Sequence, residues 1–122
     1  LATELRRQLE GTGRIEVLPD AARAKPGDVV LESTGGQRER TVVSVTATGE
    51  VREFQLRIRF AFRLRTADGR ELLPRTEITR QIDQSYSEAA ALSKEAEALM
   101  LFQSLQSDIV QQVIRRLATV KP

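Results

Sequence analysis

The sequence has no cysteine and no histidine. That excludes a thiol nucleophile, an imidazole base and any zinc centre built from Cys and His ligands. It does not assign a compartment, because a cysteine-free chain suits a reducing cytosol and a periplasm alike. No apolar run approaches the ~20 residues that a membrane-spanning helix needs. No glycine-rich phosphate loop of the G-x-x-x-x-G-K-[ST] or G-x-G-x-x-G kind occurs. Signal-peptide features and an initiating Met are also missing, so Leu1 is expected to open a processed or trimmed chain. Aromatic residues make up only 4% of the chain, too few for a platform on which bases could stack. The net charge of +2 is small beside the basic excess of a dedicated nucleic-acid binder. Glu95 with Glu97, or Asp20 with Asp28, are the nearest approach to a paired-carboxylate site, and they read as solvated surface. The expectation is a protein that is not an enzyme and carries no cofactor and no metal.

What is present is a long alternation. In the stretch "EFQLRIRFAFRLRT" the residues Phe54, Leu56, Ile58, Phe60, Phe62 and Leu64 take the even positions, while Gln55, Arg57, Arg59, Ala61, Arg63 and Arg65 take the odd ones. Successive strand side chains point to opposite faces, so this is one long strand with an apolar face and an arginine face. "TADG" (Thr66 to Gly69) then fits a three-residue hairpin loop with Gly69 in the left-handed conformation. That loop pairs Thr66 with Arg70, which carried down the ladder sets Leu64 against Leu72, Ile58 against Ile78 and Phe54 against Ile82. On the odd face the same register sets Arg65 against Glu71 and Arg59 against Glu77. "TATG" (Thr46 to Gly49) is a second hairpin turn, expected as a four-residue loop with Val43 opposite Phe54.

The rest of the chain surrounds this strand. "LATELRRQLEG" predicts a short helix, with Leu1, Leu5 and Leu9 on one side and Gly11 as a stop. "RIEVLP" (Arg14 to Pro19) and "VVLEST" (Val29 to Thr34) predict short strands separated by a loop, and "GGQ" predicts a turn into "RERTVVSV", Arg38 to Val45. After Gln84 the period becomes helical. "SYSE" offers a capping box with Ser85 as N-cap and Glu88 reaching back. Leu92, Ala96, Leu99, Phe102, Leu105 or Gln106, Ile109, Val113 and Leu117 then mark the buried stripe of one helix of about 30 residues. The architecture predicted over residues 1–122 is a single α+β domain. It is a two-layer sandwich whose mostly antiparallel sheet of about four strands carries a short N-terminal and a long C-terminal helix on one face.

Two readings of the arginine face stay open: a solvated face neutralised by its own carboxylates, or a surface that meets something anionic. A single-stranded nucleic acid is disfavoured, because all three phenylalanines of the strand fall on the other side. Lys94, one of only three lysines, lies near the start of the long helix between Leu92 and Ala96, with Glu95 and Glu97 beside it. It reads either as part of a polar helix face or as a ligand contact.

The segments "REFQLRIRFAFRLRTADGRELLPRTEI" and "SYSEAAALSKEAEALMLFQSLQSDIVQQVIRRL" resemble the lipopolysaccharide-assembly lipoprotein family LptE. The likeness is carried by R-E-F-Q-L, D-G-R-E-L-L-P, A-L-S-K-E-A-E and D-I-V-Q-Q-V-I-R-R-L, and it is sharpest from Arg52 onward. The resemblance implies a non-enzymatic, periplasm-facing outer-membrane lipoprotein that plugs the LptD β-barrel and binds lipopolysaccharide. It also implies that Lys94 stands at a basic position of the lipopolysaccharide site; Arg52, Arg57 and Arg63 of the sheet are the cations expected to accompany it, outside any match to the family pattern. An ammonium would pair there with phosphates or acidic sugars. A lipid anchor and an early strand, usual in the family before the first helix, are expected to be missing from this chain. A hairpin tip that is basic in some relatives reads "TATGEV" here. The alternatives are a structural scaffold for barrel assembly without specific glycolipid binding, and a basic-sheet nucleic-acid module.

Overall fold

The computed structural model describes residues 1–11 and 29–120. Its elements are helix α1 (Ala2–Gly11), strands β1 (Val29–Val45), β2 (Val51–Thr66) and β3 (Glu71–Ser85), a single 3-10 turn (Glu88–Ala90) and helix α2 (Ala91–Ala118). The strands form an antiparallel meander in the order β1-β2-β3. Among the described residues the sheet has three strands where about four were expected, and the strand predicted at Arg14 to Pro19 lies outside the described residues.

β2 behaves as its alternation predicts. Leu56, Ile58, Phe60, Phe62 and Leu64 are buried and Phe54 is half-buried, against a helical layer that contributes Leu5, Leu9, Ala98, Phe102, Ile109, Val110 and Val113. The arginines of the odd positions fall on the opposite, outer face. The two helices run in the same direction, because Glu4 accepts from Gln106 and Ser107 (3.1 and 2.7 Å) and Gln8 accepts from Gln111 (2.5 Å).

The neighbours of β2 depart from expectation at three places. The first is "GGQ", which bends a strand instead of ending it. β1 is continuous, with a bulge between Gly35 and Arg38. Gly35 and Gly36 have φ of +86° and +89°, and a Cβ on Gly35 would sit 2.5 Å from the carbonyl oxygen of Arg59. Only glycine allows the two backbones so close in that conformation. The one extra residue switches parity, so Leu31 and Ser33 share the inner face with Arg38, Arg40 and Val42 across the bulge.

The second is the "TATG" hairpin, which is built like the first. Thr46 N–H donates to the Glu50 carbonyl (2.7 Å) and Gly49 N–H to the Thr46 carbonyl (3.0 Å); Thr66, Gly69 and Arg70 repeat both bonds at 2.8 and 3.0 Å. Each threonine hydroxyl also accepts from the backbone N–H that closes its loop. The loop therefore has three residues, not four, and Val42 faces Phe54 where Val43 was expected. Val43 is the spare residue of an irregularity between Val42 and Ser44.

The third is β3. Thr66 pairs with Arg70 and Arg65 with Glu71 as predicted, but two irregularities then place Leu64 opposite Leu73 and Phe62 opposite Thr76. Pro74, which has no N–H to give the ladder, sits in the slipped stretch of this edge strand. A slip of two preserves parity. Ile78 thus stays on the inner face but meets Phe60, Gln84 meets Phe54, and Arg59 meets Thr79 in place of Glu77.

α2 is one helix, as expected, but its start and its buried stripe differ. Ser85 ends β3 and caps nothing; Ser87 precedes the 3-10 turn and makes no side-chain cap. The N-terminal half buries the row through Ala98 and Phe102, leaving Leu92 90% and Leu99 57% exposed and Ala96 exposed with them. Two apolar rows compete along this half of the helix, and the one held down by β3 is the one that is buried.

Phe62→Ala should cost about 3–5 kcal/mol in urea unfolding, because it empties the centre of the core. Gly35→Ala should cost about 1–3 kcal/mol by forcing the β1–β2 bulge apart. Leu92→Ala should stay within about 0.5 kcal/mol of the parent. A loss of several kcal/mol at Leu92 would restore the other stripe as the buried one.

Candidate functional site

The end of the sheet beneath the start of α2 collects most of the unusual polar chemistry. Across it lies the row Val42–Phe54–Gln84. Gln84 is only 2% exposed, and its amide donates to the Lys94 carbonyl oxygen (2.8 Å) and to Glu97 Oε1 (3.3 Å). Its own Oε1 is buried and has no partner among the described residues. β3 thereby grips the first turns of α2 through one side chain. Lys94 is fixed at the rim, its Nζ donating to Ser85 Oγ at 3.2 Å and to Glu97 Oε2 at 3.4 Å. Ser85, predicted as a cap, is instead an acceptor for this ammonium.

On the β1 side of the same end stands an aromatic pair. Phe54 and Tyr86 meet edge to face with centroids 5.1 Å apart. The guanidinium of Arg40 lies 3.7 Å above the Phe54 ring and 5.9 Å from that of Tyr86, and its NH1 donates to Glu95 at 2.9 Å. One step further along β1, Arg38 lies 5.4 Å over Phe102 and has no carboxylate partner among the described residues. Arg38 is thus held on an aromatic face while its edge stays free for an anion, whereas Arg40 already gives an edge to Glu95.

The four cations singled out in the sequence separate into two groups. Lys94 and Arg52 belong to the same end of the sheet: the Tyr86 N–H donates to the Arg52 carbonyl (2.8 Å), one residue beyond the serine that Lys94 contacts. The Arg52 side chain is exposed and has no partner among the described residues. Arg57 and Arg63 lie on the outer face, across the sheet from Lys94. Arg57 is held by Gln81 (3.1 Å) and Gln55 (2.5 Å), neither of them charged. Arg63 is bound to Glu32 (2.9 Å), which Arg65 shares at 2.5 Å. Arg59 approaches Glu39 at 3.8 Å, where Glu77 was expected. The outer face is therefore largely self-neutralised, with Arg57 the exception along β2.

Arg38 and Arg40 were missed by sequence reasoning, and a legible signal pointed to them. "TATGE" and "TADGR" share their Thr-Ala-x-Gly frame. Reading both as the same loop sets Val42 opposite Phe54 and turns Arg40 and Arg38 to the inner face. Expecting a longer first loop shifted β1 by one residue and put them outside.

The family described as LptE, lipopolysaccharide-assembly, matches residues 1–117. The chain belongs to the LptE family. Its role accordingly lies in lipopolysaccharide assembly. Among solved structures it is similar to an uncharacterized lipoprotein B from Nitrosomonas europaea, determined by solution NMR. That likeness has 31% identity and a TM-score of 0.80, over 95% of this chain and 73% of that one. It is also similar to the crystal structure of the rare lipoprotein B from Shewanella oneidensis, at 22% identity and a TM-score of 0.76. There the overlap is 96% of this chain and 84% of that one, and it shows the fold alone. None of the curated proteins matches the chain significantly. Within this LptE fold, the cationic end described above is the part whose chemistry suits an anionic ligand.

Glu32 provides a test of the outer face. Hydrogen bonds from Arg65 and then Arg63 hold its carboxyl below the ordinary 4.5, with burial opposing them weakly. A carboxyl depressed in the folded state adds stability above its unfolded value, and that stability is lost as the pH falls through the folded one. Glu32→Gln should therefore lower the thermal midpoint at neutral pH, and the gap to the parent should close as the pH drops below 4.5. A gap that persists in acid would mean that Glu32 does not tie these arginines down.

Proposed function

We propose that this LptE-family chain is a non-enzymatic component of lipopolysaccharide transport at the periplasmic face of the outer membrane. It binds lipopolysaccharide and plugs an LptD-type β-barrel, and it is held to the membrane by a lipid anchor on the full-length protein. The observation that carries the binding reading is that Lys94, Arg52 and Arg40 all belong to one end of the sheet. The partners of Lys94 are a serine hydroxyl and a partly solvated carboxylate, contacts of the kind worth no more than about 1 kcal/mol. A phosphate of the glycolipid, with its larger charge, displaces them at little expense. Arg52 has nothing to give up.

Arg57 and Arg63 serve a second, opposite contact. Arg57 can turn to an anion without breaking an ion pair, whereas Arg63 must leave Glu32 first. The outer face presents arginines with no ring beside them, since the aromatic contacts gather around Phe54, Tyr86, Phe60, Phe62 and Phe102 on the helical side. That arrangement favours a glycolipid or protein surface over a nucleic acid.

Lys94→Asp should weaken binding to lipopolysaccharide about tenfold at moderate salt, while Lys94→Arg retains most of it. The thermal midpoint should change little, because the ammonium is tied only to its rim. Undiminished binding by Lys94→Asp would remove Lys94 from the site. Barrel co-purification that survives loss of all glycolipid binding would favour the scaffold role instead.

A further inference from the structure

No residue between Tyr86 and Ala98 is buried, although the 3-10 turn and the first two turns of α2 lie there. Neither Ser87 nor Ala90 supplies a side-chain cap, so this helix end is not secured by its own termini. Its ties to the sheet are polar. Arg40 donates to Glu95, Lys94 donates to Ser85, and Gln84 donates to the Lys94 carbonyl and to Glu97. The first two contacts are exposed, and solvent competes for them. Gln84 is buried, so its bonds form where water does not compete.

The placement of Gln84 is costly. On the inner face it pairs with Phe54, where an apolar side chain would serve the packing. Both hydrogens of its amide go to α2, while its buried Oε1 has no partner among the described residues. A buried acceptor left unsatisfied lowers stability, so packing does not account for a glutamine here. What its two donor bonds share is Lys94. One holds the carbonyl of that residue at 2.8 Å. The other holds Glu97 Oε1, whose second oxygen, Oε2, receives the Lys94 ammonium at 3.4 Å.

We infer that Gln84 is the positioning residue for the Lys94 ammonium, and that the first two turns of α2 open together, apart from the core, when its amide is lost. The inference rests on the reading of Lys94 as an anion contact and adds the residue that aims it. A lysine stem is flexible, so its charge alone does not fix where the ammonium sits. Gln84 fixes it at both ends, through the backbone that carries the stem and through the carboxylate that meets the charge. The Lys94 side chain stays 22% exposed in that position, anchored yet open to an incoming group. Opening stops at Ala98, because Ala98 and Phe102 are the first side chains of α2 inside the core.

The test combines amide hydrogen exchange with lipopolysaccharide binding by the full chain. Gln84→Met offers a side chain of similar length with neither the donors nor the orphan acceptor, so its thermal midpoint should stay close to the parent's. Exchange at Glu95, Ala96, Glu97 and Ala98 should quicken about tenfold, with Ile109, Val110 and Val113 unchanged. Lipopolysaccharide should bind about tenfold more weakly, although every cation is still present. In a Lys94→Gln background the same substitution should cost little further binding, since the group it aims is gone. Parent-like exchange at Glu95 to Ala98 in Gln84→Met would overturn the inference. Equal losses of binding in both backgrounds would show that Gln84 acts through another group, and would overturn the positioning role. If the unaltered chain binds no lipopolysaccharide, the reading of Lys94 falls and the positioning role with it, while the exchange rates still decide whether the first turns open as a unit.

Discussion

The strict alternation of β2 governs the rest of the molecule. As the central strand it is paired on both sides, so its peptide groups are committed to two ladders and its side chains have only two directions to take. Five apolar side chains on one side are almost free of solvent, and four arginines occupy the other. A slip of one residue would drive the arginines into the helical layer, where an unpaired charge costs several kcal/mol. The orientation of β2 is thus fixed independently of its neighbours, and they must adapt to it. Their adaptations are the bulge at Gly35, the spare residue at Val43 and the two-residue slip around Pro74.

Those adaptations decide which cations reach the helices. Arg38 and Arg40 on β1 and Arg80 on β3 share the inner face with the core, but at its two edges. Each is accommodated there by a specific contact: Phe102 for Arg38, Phe54 and Glu95 for Arg40, and Asp108 at 2.6 Å for Arg80. Their stems cover apolar surface while their heads stay at the rim. Arg80 and Gln84 tie α2 to β3, while Arg40 and Arg38 meet it from β1, so the helix is seated by polar contacts on both flanks of an apolar ridge.

The same reasoning explains what could be read from the sequence. The faces of β2, both helices and the Gly69 hairpin follow from local pattern, because each is written in a few consecutive residues. The turn expected at Gly35-Gly36 failed because a glycine pair looks alike in a bulge and in a reversal; what separates them is the close approach of Arg59, a contact 24 residues away. The slip at Pro74 is silent for another reason. It moves β3 by two, and alternation is unchanged by any even shift. Lys94 and Arg52 were legible as cations, but not as residues of one end of the sheet, since that placement depends on Ser85 and Tyr86 ending β3 where they do.

The stripe of α2 is the most informative of the misread features. Its sequence offers two apolar rows in the N-terminal half, and a single helix on a single sheet can bury only one. Gln84, bonded to the carbonyl of Lys94, selects the row through Ala98 and leaves the row through Leu92 and Leu99 in solvent. α1 could cover a flank of that kind, but its 10 residues span about 15 Å against about 42 Å for the 28 of α2, and its contacts lie at Gln106, Ser107 and Gln111. The uncovered leucines are therefore a consequence of geometry: a long helix docked by its first turns at one end and by a short partner at the other. Between those anchors Leu92 and Leu99 alternate with polar side chains such as Glu95, which meets Arg40, so the flank mixes exposed apolar area with an ion pair.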